Sequence, residues 1–249
     1  MSLSANTLFH FTQSFDTQIG ILQTKFYPRA CLESQVLSDI FPFRFAPPMV
    51  CFCDIPLSQI SDHVEKYGNY AIGIKKDWAM QQGVSPVLYV HEKSPVLQAI
   101  VKEIKDLKIT KTADGNLPDE SMSKLMSYIQ TAMMMKQYEG FDERHNKIVR
   151  YYDEREWRYI PPNTYPDEPS FLLDRLYDDE KLRASFNQSK TRYGVEFHPD
   201  VINYLIVAKE SEILPLKRKL VTIKGGFSHD AVELLTTRII SMERIQQDL

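Results

Sequence analysis

Glycine is scarce in this chain, with nine residues in 249, and the glycine-rich nucleotide-binding patterns are absent. Neither Gly-x-x-x-x-Gly-Lys-Ser/Thr nor Gly-x-Gly-x-x-Gly occurs, so phosphate binding by a glycine-rich loop is unsupported. The chain also lacks the Gly-x-Ser-x-Gly sequence of serine hydrolases. Any nucleotide that the chain binds must therefore be held by other residue types.

Cysteine and long apolar runs are also in short supply. The three cysteines, Cys31, Cys51 and Cys53, lack the spacing of a four-ligand zinc site, so we expect reduced thiols and no metal. No run of about 18 apolar residues and no signal-like N-terminus is present, which predicts a cytoplasmic protein with no membrane segment. The net charge of -3 does not demand a nucleic-acid partner, although a local basic groove stays open.

The chain is long and apolar enough for a substantial core, with 43% hydrophobic residues. We predict one α+β domain over 1–249, with core strands in 1–92 and 148–249 and a helical insertion at about 95–147. Predicted strands include 7–12, 49–54, 70–75 and 239–245. Helices are predicted at 14–22, 57–67 and 121–138, the last being rich in methionine and suited to core packing.

Two short segments carry the polar residues that suggest chemistry. In residues 8–12, His10 and Thr12 share one face of the predicted strand, because side chains two apart on a strand point the same way. In residues 152–159, Glu154, Glu156 and Arg158 share a face by the same argument. Neighbouring carboxylates on a buried strand repel each other and raise a pKa, so such a pair is either solvated or functional.

These two segments suit the transfer of ADP-ribose, which requires groups that grip a ribose and a carboxylate that stabilises an oxocarbenium ion. A plainer alternative is that Arg155 and Arg158 pair with the carboxylates on an ordinary charged edge strand. A third possibility is a divalent-ion site for nuclease chemistry, formed by Asp54, Glu154 and Glu156. It ranks lowest because no lysine-bearing strand follows the two glutamates.

Several motifs together resemble the AbiGi-type abortive phage-resistance proteins, and the resemblance spans most of the chain. The motifs are His10-Phe11-Thr12, Cys51-Phe52-Cys53-Asp54-Ile55-Pro56-Leu57, Tyr67-Gly68-Asn69-Tyr70, Pro86-Val87-Leu88-Tyr89 and Glu156-Trp157-Arg158-Tyr159. This resemblance implies a role in phage defence. It also implies a cognate toxin or antitoxin partner, since the family is described as the antitoxin half of a two-gene system.

More distantly, the order of the His-x-Thr, aromatic and late glutamate motifs resembles the His-Tyr-Glu class of ADP-ribosyltransferases, including DarT-like enzymes. That resemblance implies a split antiparallel sheet and NAD as substrate. His10 would then bind a ribose hydroxyl and Thr12 would help to seat it. Tyr67 or Tyr70 would stack on nicotinamide, and Arg29 would bind the pyrophosphate.

The same resemblance implies a catalytic role for two carboxylates. Glu156 would bind the 2'-hydroxyl of the nicotinamide ribose and stabilise the cationic transition state, and Glu154 would polarise the acceptor. The acceptor is left open among protein, DNA, RNA and a small metabolite. The competing interpretation is a non-catalytic antitoxin that contacts its partner through the aromatic loop 41–49, with Phe41, Phe43 and Phe45, and through the methionine-rich helix.

Overall fold

The protein was analysed as a computed structural model, which describes residues 5–33, 44–106, 119–142, 146–162 and 168–248. Its strands, in chain order, are β1 (Thr7–Thr12), β2 (Arg29–Ala30), β3 (Phe45–Ala46), β4 (Pro48–Cys53), β5 (Tyr70–Lys75), β6 (Ser85–Pro86), β7 (Leu88–Val90), β8 (Met135–Gln137), β9 (Gly140–Asp142), β10 (Lys147–Val149), β11 (Glu156–Tyr159), β12 (Leu172–Leu173), β13 (Ile202–Val207) and β14 (Ile239–Ser241). Its α-helices are α1 (Phe15–Gln23), α2 (Ser61–Tyr67), α3 (Lys76–Gln81), α4 (Pro95–Asp106), α5 (Asp119–Met133), α6 (Asp174–Tyr177), α7 (Glu180–Ser189), α8 (Ile213–Ile223), α9 (His229–Thr236) and α10 (Met242–Asp248). This mixture of helices with a large sheet confirms the coarse prediction of fold class.

The large sheet has eight strands in the order β14-β13-β5-β1-β4-β11-β6, with β2 paired to β4 beside that path. Within it β13 and β14 run parallel, whereas the other pairings are antiparallel. Three pairs of short strands lie apart from it, namely β9 with β10, β3 with β12, and β7 with β8.

The two central strands β1 and β4 separate after a single paired position. β1 pairs with β5 along its whole length, and β4 pairs with β11 over four residues. Between β1 and β4 the ladder contains one pair, Phe9 with Cys53. The sheet is therefore open between the second half of β1 and the first half of β4.

Alternating side chains on the central strands divide the core between the two faces of the sheet. On β5, Ile72 packs into the core that contains residues of α1 and α8, whereas Ala71 packs into the core that contains residues of α2 and α10. On β13, Leu205 and Ile206 alternate in the same way. Helices therefore cover both faces of the sheet, so β5 and β13 are buried on both sides.

Local sequence signals account for most of the boundaries near the site. Ser14 caps α1 by accepting a hydrogen bond from the backbone N–H of Thr17. Gly68 ends α2 in a backbone conformation with φ of 103°, which side-chain-bearing residues rarely adopt. An added Cβ at Gly68 would lie 2.3 Å from the carbonyl oxygen of Thr12, so this glycine also allows α2 to approach β1.

Three predictions of local structure were wrong at their ends. The methionine-rich helix stops at Met133, because the chain turns there and forms β8 beside β7. The final strand ends at Ser241 and is followed by α10, whose Met242 and Ile245 are buried. Residues Tyr151–Glu154 form a 3-10 turn and not part of a strand, and β11 begins only at Glu156.

The predicted helical insertion contains α4 and α5, which pack together on their own apolar cluster. Leu97 and Ile104 of α4 meet Ile129 and Met133 of α5 in this cluster. Met133 is buried in this cluster and Met126 packs against it, as the prediction of core packing requires, whereas Met122 is exposed.

Among the described residues, no helix has the length and apolar character needed to span a membrane.

Candidate functional site

The opening between β1 and β4 leads into a cavity of about 340 Å³, which we call the strand-gap cavity. Seven elements or segments supply its walls: β1, the segment after β2, β4, α2, β8, the 3-10 turn before β11, and β11 itself. The lining residues are Phe9, His10, Phe11, Cys31, Glu33, Cys51, Phe52, Cys53, His63, Tyr67, Lys136, Glu154 and Glu156. Four of the seven residues predicted for the site are therefore brought together: His10, Tyr67, Glu154 and Glu156.

His10 occupies the gap between the two separated strands. Its Nδ1 lies 2.8 Å from the carbonyl oxygen of Cys51 and must donate to it, because a carbonyl can only accept. The neutral ring then keeps Nε2 as an acceptor. Its ring packs against both Phe26 and Phe52, whose ring centroids lie 5.2 and 5.6 Å away. Burial lowers the pKa of His10, although the bond to Cys51 opposes this effect.

Glu156 lies at the bottom of the cavity, which we call its floor, and its carboxylate binds two cationic side chains. Arg158 binds both of its oxygens, with Nε 2.6 Å from Oε1 and Nη2 3.0 Å from Oε2, and Lys136 Nζ lies 2.8 Å from Oε2. Burial works against the ionised carboxylate, but Arg158 and Lys136 outweigh it and lower the pKa of Glu156 to about 2. Glu156 is therefore ionised at neutral pH.

Glu154 also lies at the floor of the cavity, but it is placed there by a 3-10 turn and not by the strand face that was predicted. The left-handed conformation of Arg155, with φ of 45°, reverses the chain between the 3-10 turn and β11. Both Glu154 and Glu156 then point at Lys136, whose Nζ lies 2.7 Å from Oε2 of Glu154. The two carboxylates do not repel each other as a bare pair, because the lysine ammonium is between them.

Lys136 and Glu33 are members of the site that the sequence interpretation missed. Lys136 is placed by the parallel pairing of β7 with β8, opposite Tyr89, whose hydroxyl accepts from the backbone N–H of Glu156 at 2.8 Å. Burial disfavours the ammonium, but Glu33, Glu156 and Glu154 raise the pKa of Lys136 well above its ordinary value. The sequence signal that could have identified Lys136 is its position as a single lysine directly after Met133-Met134-Met135.

Arg158 connects Glu156 to two other parts of the chain. Its side chain is 1% exposed, and it donates to Glu33 and to the carbonyl oxygen of Met133 as well as to Glu156. Burial would lower its pKa, but Glu33 and Glu156 raise it. The prediction that Arg158 pairs with a neighbouring carboxylate is confirmed for Glu156. The pairing is buried and not at a solvated edge.

Tyr67 forms part of the wall at the end of α2, where Gly68 turns the chain. Its side chain remains partly exposed, and its ring centroid lies 6.0 Å from that of His63. Desolvation and the nearby Glu154 carboxylate raise the pKa of Tyr67, so its hydroxyl is neutral. Tyr67 is the aromatic residue placed where a bound ring could contact it.

Three predicted residues lie outside the cavity lining. The hydroxyl of Thr12 donates to the carbonyl oxygen of Ser14 at 3.3 Å, so it stabilises the turn before α1. Tyr70 donates to Glu212 at 2.8 Å and packs edge-on against Phe15, beside the core that contains residues of α1. Arg29 is exposed on β2, two residues before Cys31 of the lining.

The cysteines and carboxylates near the cavity do not form a metal centre. All three cysteines are free thiols, as predicted. A hydrogen bond with Cys31 and burial raise the pKa of Cys51, so its thiol is neutral. Asp54, proposed as a metal ligand with the glutamates, binds Lys76 at 2.8 Å. In the part of the chain that the structure describes, no group of three or more His, Cys, Asp or Glu could hold a metal ion.

Comparison with known proteins gives one consistent result. A family model described as "Putative abortive phage resistance protein AbiGi, antitoxin" matches residues 24–208. The "Abortive phage resistance protein AbiGi" of Lactococcus lactis subsp. cremoris is 27% identical over 252 residues, covering 90% of this chain and 98% of that protein. No solved structure matches the chain. The matched segment contains β4, α2, β5, Lys136 and both site glutamates, and on this basis the chain belongs to the AbiGi family.

Proposed function

We propose that this chain acts in abortive phage resistance as an NAD-dependent ADP-ribosyltransferase whose active site is the strand-gap cavity. The observation that carries the proposal is the meeting of an ionised carboxylate, Glu156, with His10 and Tyr67 in one cavity between separated central strands. This combination supplies a carboxylate for a developing cation, an imidazole for a hydroxyl, and an aromatic ring for a planar leaving group.

The cavity size fits part of the dinucleotide. Small-molecule sites usually have volumes of about 300–1,000 Å³, and the strand-gap cavity, at 340 Å³, is near the lower end. It would take the nicotinamide and its ribose, with the pyrophosphate beyond the lining. Arg29 is a candidate for that part, because it lies on the same side of the chain as Cys31, two residues away.

Glu156 retains capacity for a substrate hydroxyl. Its three bonds to Arg158 and Lys136 use three of roughly four lone-pair positions of a carboxylate, and Oε1 has only one of these contacts. In the transfer, the bond between the ribose carbon and nicotinamide breaks and positive charge develops on the ribose. A fixed negative charge stabilises that state without any reorganisation of solvent.

The acceptor replaces nicotinamide at the ribose carbon and loses its proton. Glu154 is the carboxylate next to Glu156 that faces both the cavity and the adjoining surface, so it can polarise the attacking group. Lys136 holds Glu154 and Glu156 at fixed positions, and it acts as a positioning residue.

Binding of NAD is the first test, measured by calorimetry with two matched tyrosine variants. Tyr67→Ala should abolish binding because it removes the ring proposed to stack on nicotinamide, whereas Tyr70→Ala should retain it because Tyr70 does not line the cavity. Equal loss in both variants would show that the loss does not come from the cavity. Absence of NAD binding by the wild-type chain would contradict the proposal.

Transfer is the second test, with labelled NAD added to the protein, DNA and RNA fractions of a bacterial lysate. Label is expected with the wild type and not with Glu156→Gln, provided that the circular dichroism spectrum of the variant is unchanged. Label in one fraction would identify the acceptor class. Failure to label any fraction, with NAD binding intact, would reduce the proposal to a binding site.

A second candidate function is favoured by the description of the matching family as an antitoxin. Under this hypothesis the chain neutralises a cognate toxin protein by binding it. Of the aromatic loop proposed as contact surface, Phe41 and Phe43 lie outside the described residues, and Phe45 is buried against Phe171. In the methionine-rich helix, Met133 is buried whereas Met122 is exposed. Phe45 and Met133 therefore do not belong to an exposed contact surface, whereas Met122 does.

Growth rescue separates the two functions. If the chain is a binding antitoxin, Glu156→Gln should still rescue cells that express the toxin, because no chemistry is involved. If protection depends on ADP-ribosyl transfer, the same variant should lose it while retaining its fold.

A further inference from the structure

A larger cleft of about 620 Å³ adjoins the strand-gap cavity, and we call it the hairpin cleft. It lies between the α2 region and the β9–β10 hairpin and shares two lining residues with the cavity, His63 and Glu154. A ligand in the hairpin cleft would therefore be next to the floor carboxylates. The cavity chemistry described above does not use this space.

Cationic side chains dominate the described residues of the cleft. Lys66, Lys147, Arg150 and Arg155 line it, with Asp153 and Glu154 as the acidic members. Glu154 is bound by Lys136 at 2.7 Å and lies 3.7 Å from Lys66, and Arg150 meets Asp153 at 3.9 Å on the exposed surface. Four cationic side chains of the lining therefore face two carboxylates. The cleft is thus locally positive on a chain whose net charge is -3. Such a local field selects an anionic ligand.

Aromatic and apolar groups alternate with these cations. Tyr152 lines the cleft and is 51% exposed, with its ring held by Tyr89 and Tyr138 at centroid distances of 5.2 and 5.5 Å. Ile148 is 74% exposed and pairs across the hairpin with Phe141, which is 56% exposed. A fixed, exposed aromatic ring beside lysine and arginine is the arrangement that binds bases and phosphates of single strands.

Arg155 is held in a costly backbone conformation at the junction of the two spaces. Its N–H donates to the carbonyl of Tyr152 at 3.1 Å, and its carbonyl accepts from Asp54 at 3.0 Å. A non-glycine residue in the left-handed region is uncommon and persists where its surroundings fix it. This conformation keeps Arg155 in the lining of the cleft and Glu154 at the boundary with the cavity.

We propose that the hairpin cleft binds a single-stranded nucleic acid. Lys147, Arg150 and Arg155 contact its phosphates, and Tyr152 stacks on a base. Binding by itself does not depend on the NAD site. Only the further step, in which the bound strand is the acceptor of ADP-ribose, rests on the proposed function. The acceptor group would then approach the ribose carbon past Glu154.

The test is fluorescence anisotropy of the full chain with a labelled oligonucleotide of about 12 nucleotides, as single-stranded DNA, single-stranded RNA and duplex DNA. The variant Lys147→Gln with Arg150→Gln is compared with Lys217→Gln and Arg218→Gln, an exposed lysine-arginine pair on α8. Both double variants change the net charge equally. The cleft variant should bind about tenfold more weakly or worse, and its salt dependence should fall by about 1.4 in slope for two lost phosphate contacts.

Tyr152→Ala tests the stacking contact. Removal of one base–aromatic stack should weaken binding about 5- to 150-fold, while the slope against salt should stay unchanged because no charge is lost. Tighter binding of DNA or of RNA would identify the source of the strand.

Three outcomes would overturn the assignment. They are no binding of any single strand by the wild type, equal weakening in the α8 variant and the cleft variant, and tighter binding of the duplex than of single strands. NAD binding is measured on the same samples and should be equal in all of these variants. Strand binding without NAD binding would refute the proposed transferase and leave the cleft assignment standing, and the reverse result would do the opposite.

Discussion

The ammonium group of Lys136 lies 2.8 Å from Oε2 of Glu156, although the two residues are 20 positions apart. The same nitrogen lies 2.7 Å from Glu154, and it therefore joins the two site carboxylates. Lys136 lies in β8, which follows α5 closely in the chain. The predicted helical insertion therefore contributes a residue to the bottom of the cavity.

Replacement of Lys136 by Met should destabilise the fold strongly. The variant leaves two buried carboxylates without the cation between them, and loss of one partner of a buried pair costs about 3–5 kcal/mol. Urea denaturation followed by circular dichroism measures the change. Lys124→Met is the matched control: Lys124 also binds a glutamate at 2.7 Å but is exposed to solvent, so its loss should change the free energy of unfolding little. Similar costs in both variants would contradict a buried role for Lys136.

Stability should decline in acid through Glu156. Its pKa is about 2 in the folded chain against an ordinary 4.5, so its contribution is complete above pH 4.5 and is lost as the pH falls towards 2. Unfolding free energy measured over this interval should fall less steeply in Glu156→Gln than in the wild type. Glu120→Gln, at an exposed position of α5 where only the ion pair with Lys124 lowers the pKa of the carboxyl, should change the curve much less than Glu156→Gln. A Glu156→Gln curve parallel to the wild type would refute the assignment.

Gly68→Ala should destabilise the junction of α2 and β1. The added Cβ would lie 2.3 Å from the Thr12 oxygen, at a φ of 103° that alanine rarely adopts. Gly83→Ala has the strained φ of 85° but open space, so it should cost about 1–2 kcal/mol and less than Gly68→Ala. Gly20→Ala, inside α1 with no close neighbour, should stabilise by about 0.5–1 kcal/mol. Thermal denaturation of the three variants gives the order, and an equal cost at Gly68 and Gly83 would exclude the steric effect.

Gln18→Leu should loosen α1 from the sheet. The buried Gln18 amide donates to the carbonyl oxygens of Ala71 and Ile206, each at 2.9 Å. Loss of these hydrogen bonds costs about 0.5–1.5 kcal/mol apiece, partly offset by the burial of leucine. Hydrogen exchange in β5 and β13 should accelerate. Gln23→Leu, at the exposed end of the same helix, should leave exchange in these strands unchanged, and faster exchange there would implicate α1 in general.

The local signals near the site were sufficient for several elements. Residues 7–12 and 70–75 are strands as predicted, Ser14 caps α1, and Gly68 ends α2. These features depend on side-chain alternation, on one cap and on one backbone angle, all of which neighbours in sequence determine. The helical period likewise located α4 over Pro95–Asp106.

The predicted grouping of site residues was only partly right, because strand alternation assigns a face but not a neighbour. His10, Tyr67, Glu154 and Glu156 meet in the strand-gap cavity, whereas Tyr70 faces the core of α1 and Thr12 stabilises a turn. Glu154 and Glu156 were expected on one strand face, and they converge instead through the left-handed turn at Arg155. No periodicity in the sequence reports such a turn.

The sequence by itself determined which residue types were available: two glutamates two apart, a histidine on an apolar strand, and aromatic residues at the end of a helix. It also determined the family, because the AbiGi family model matches residues 24–208 from sequence alone. Tertiary structure alone decided that Lys136 and Glu33 join the site, since contacts between residues 20 and 125 positions apart depend on how strands pair. Charges buried together shift one another's pKa only after that packing is complete.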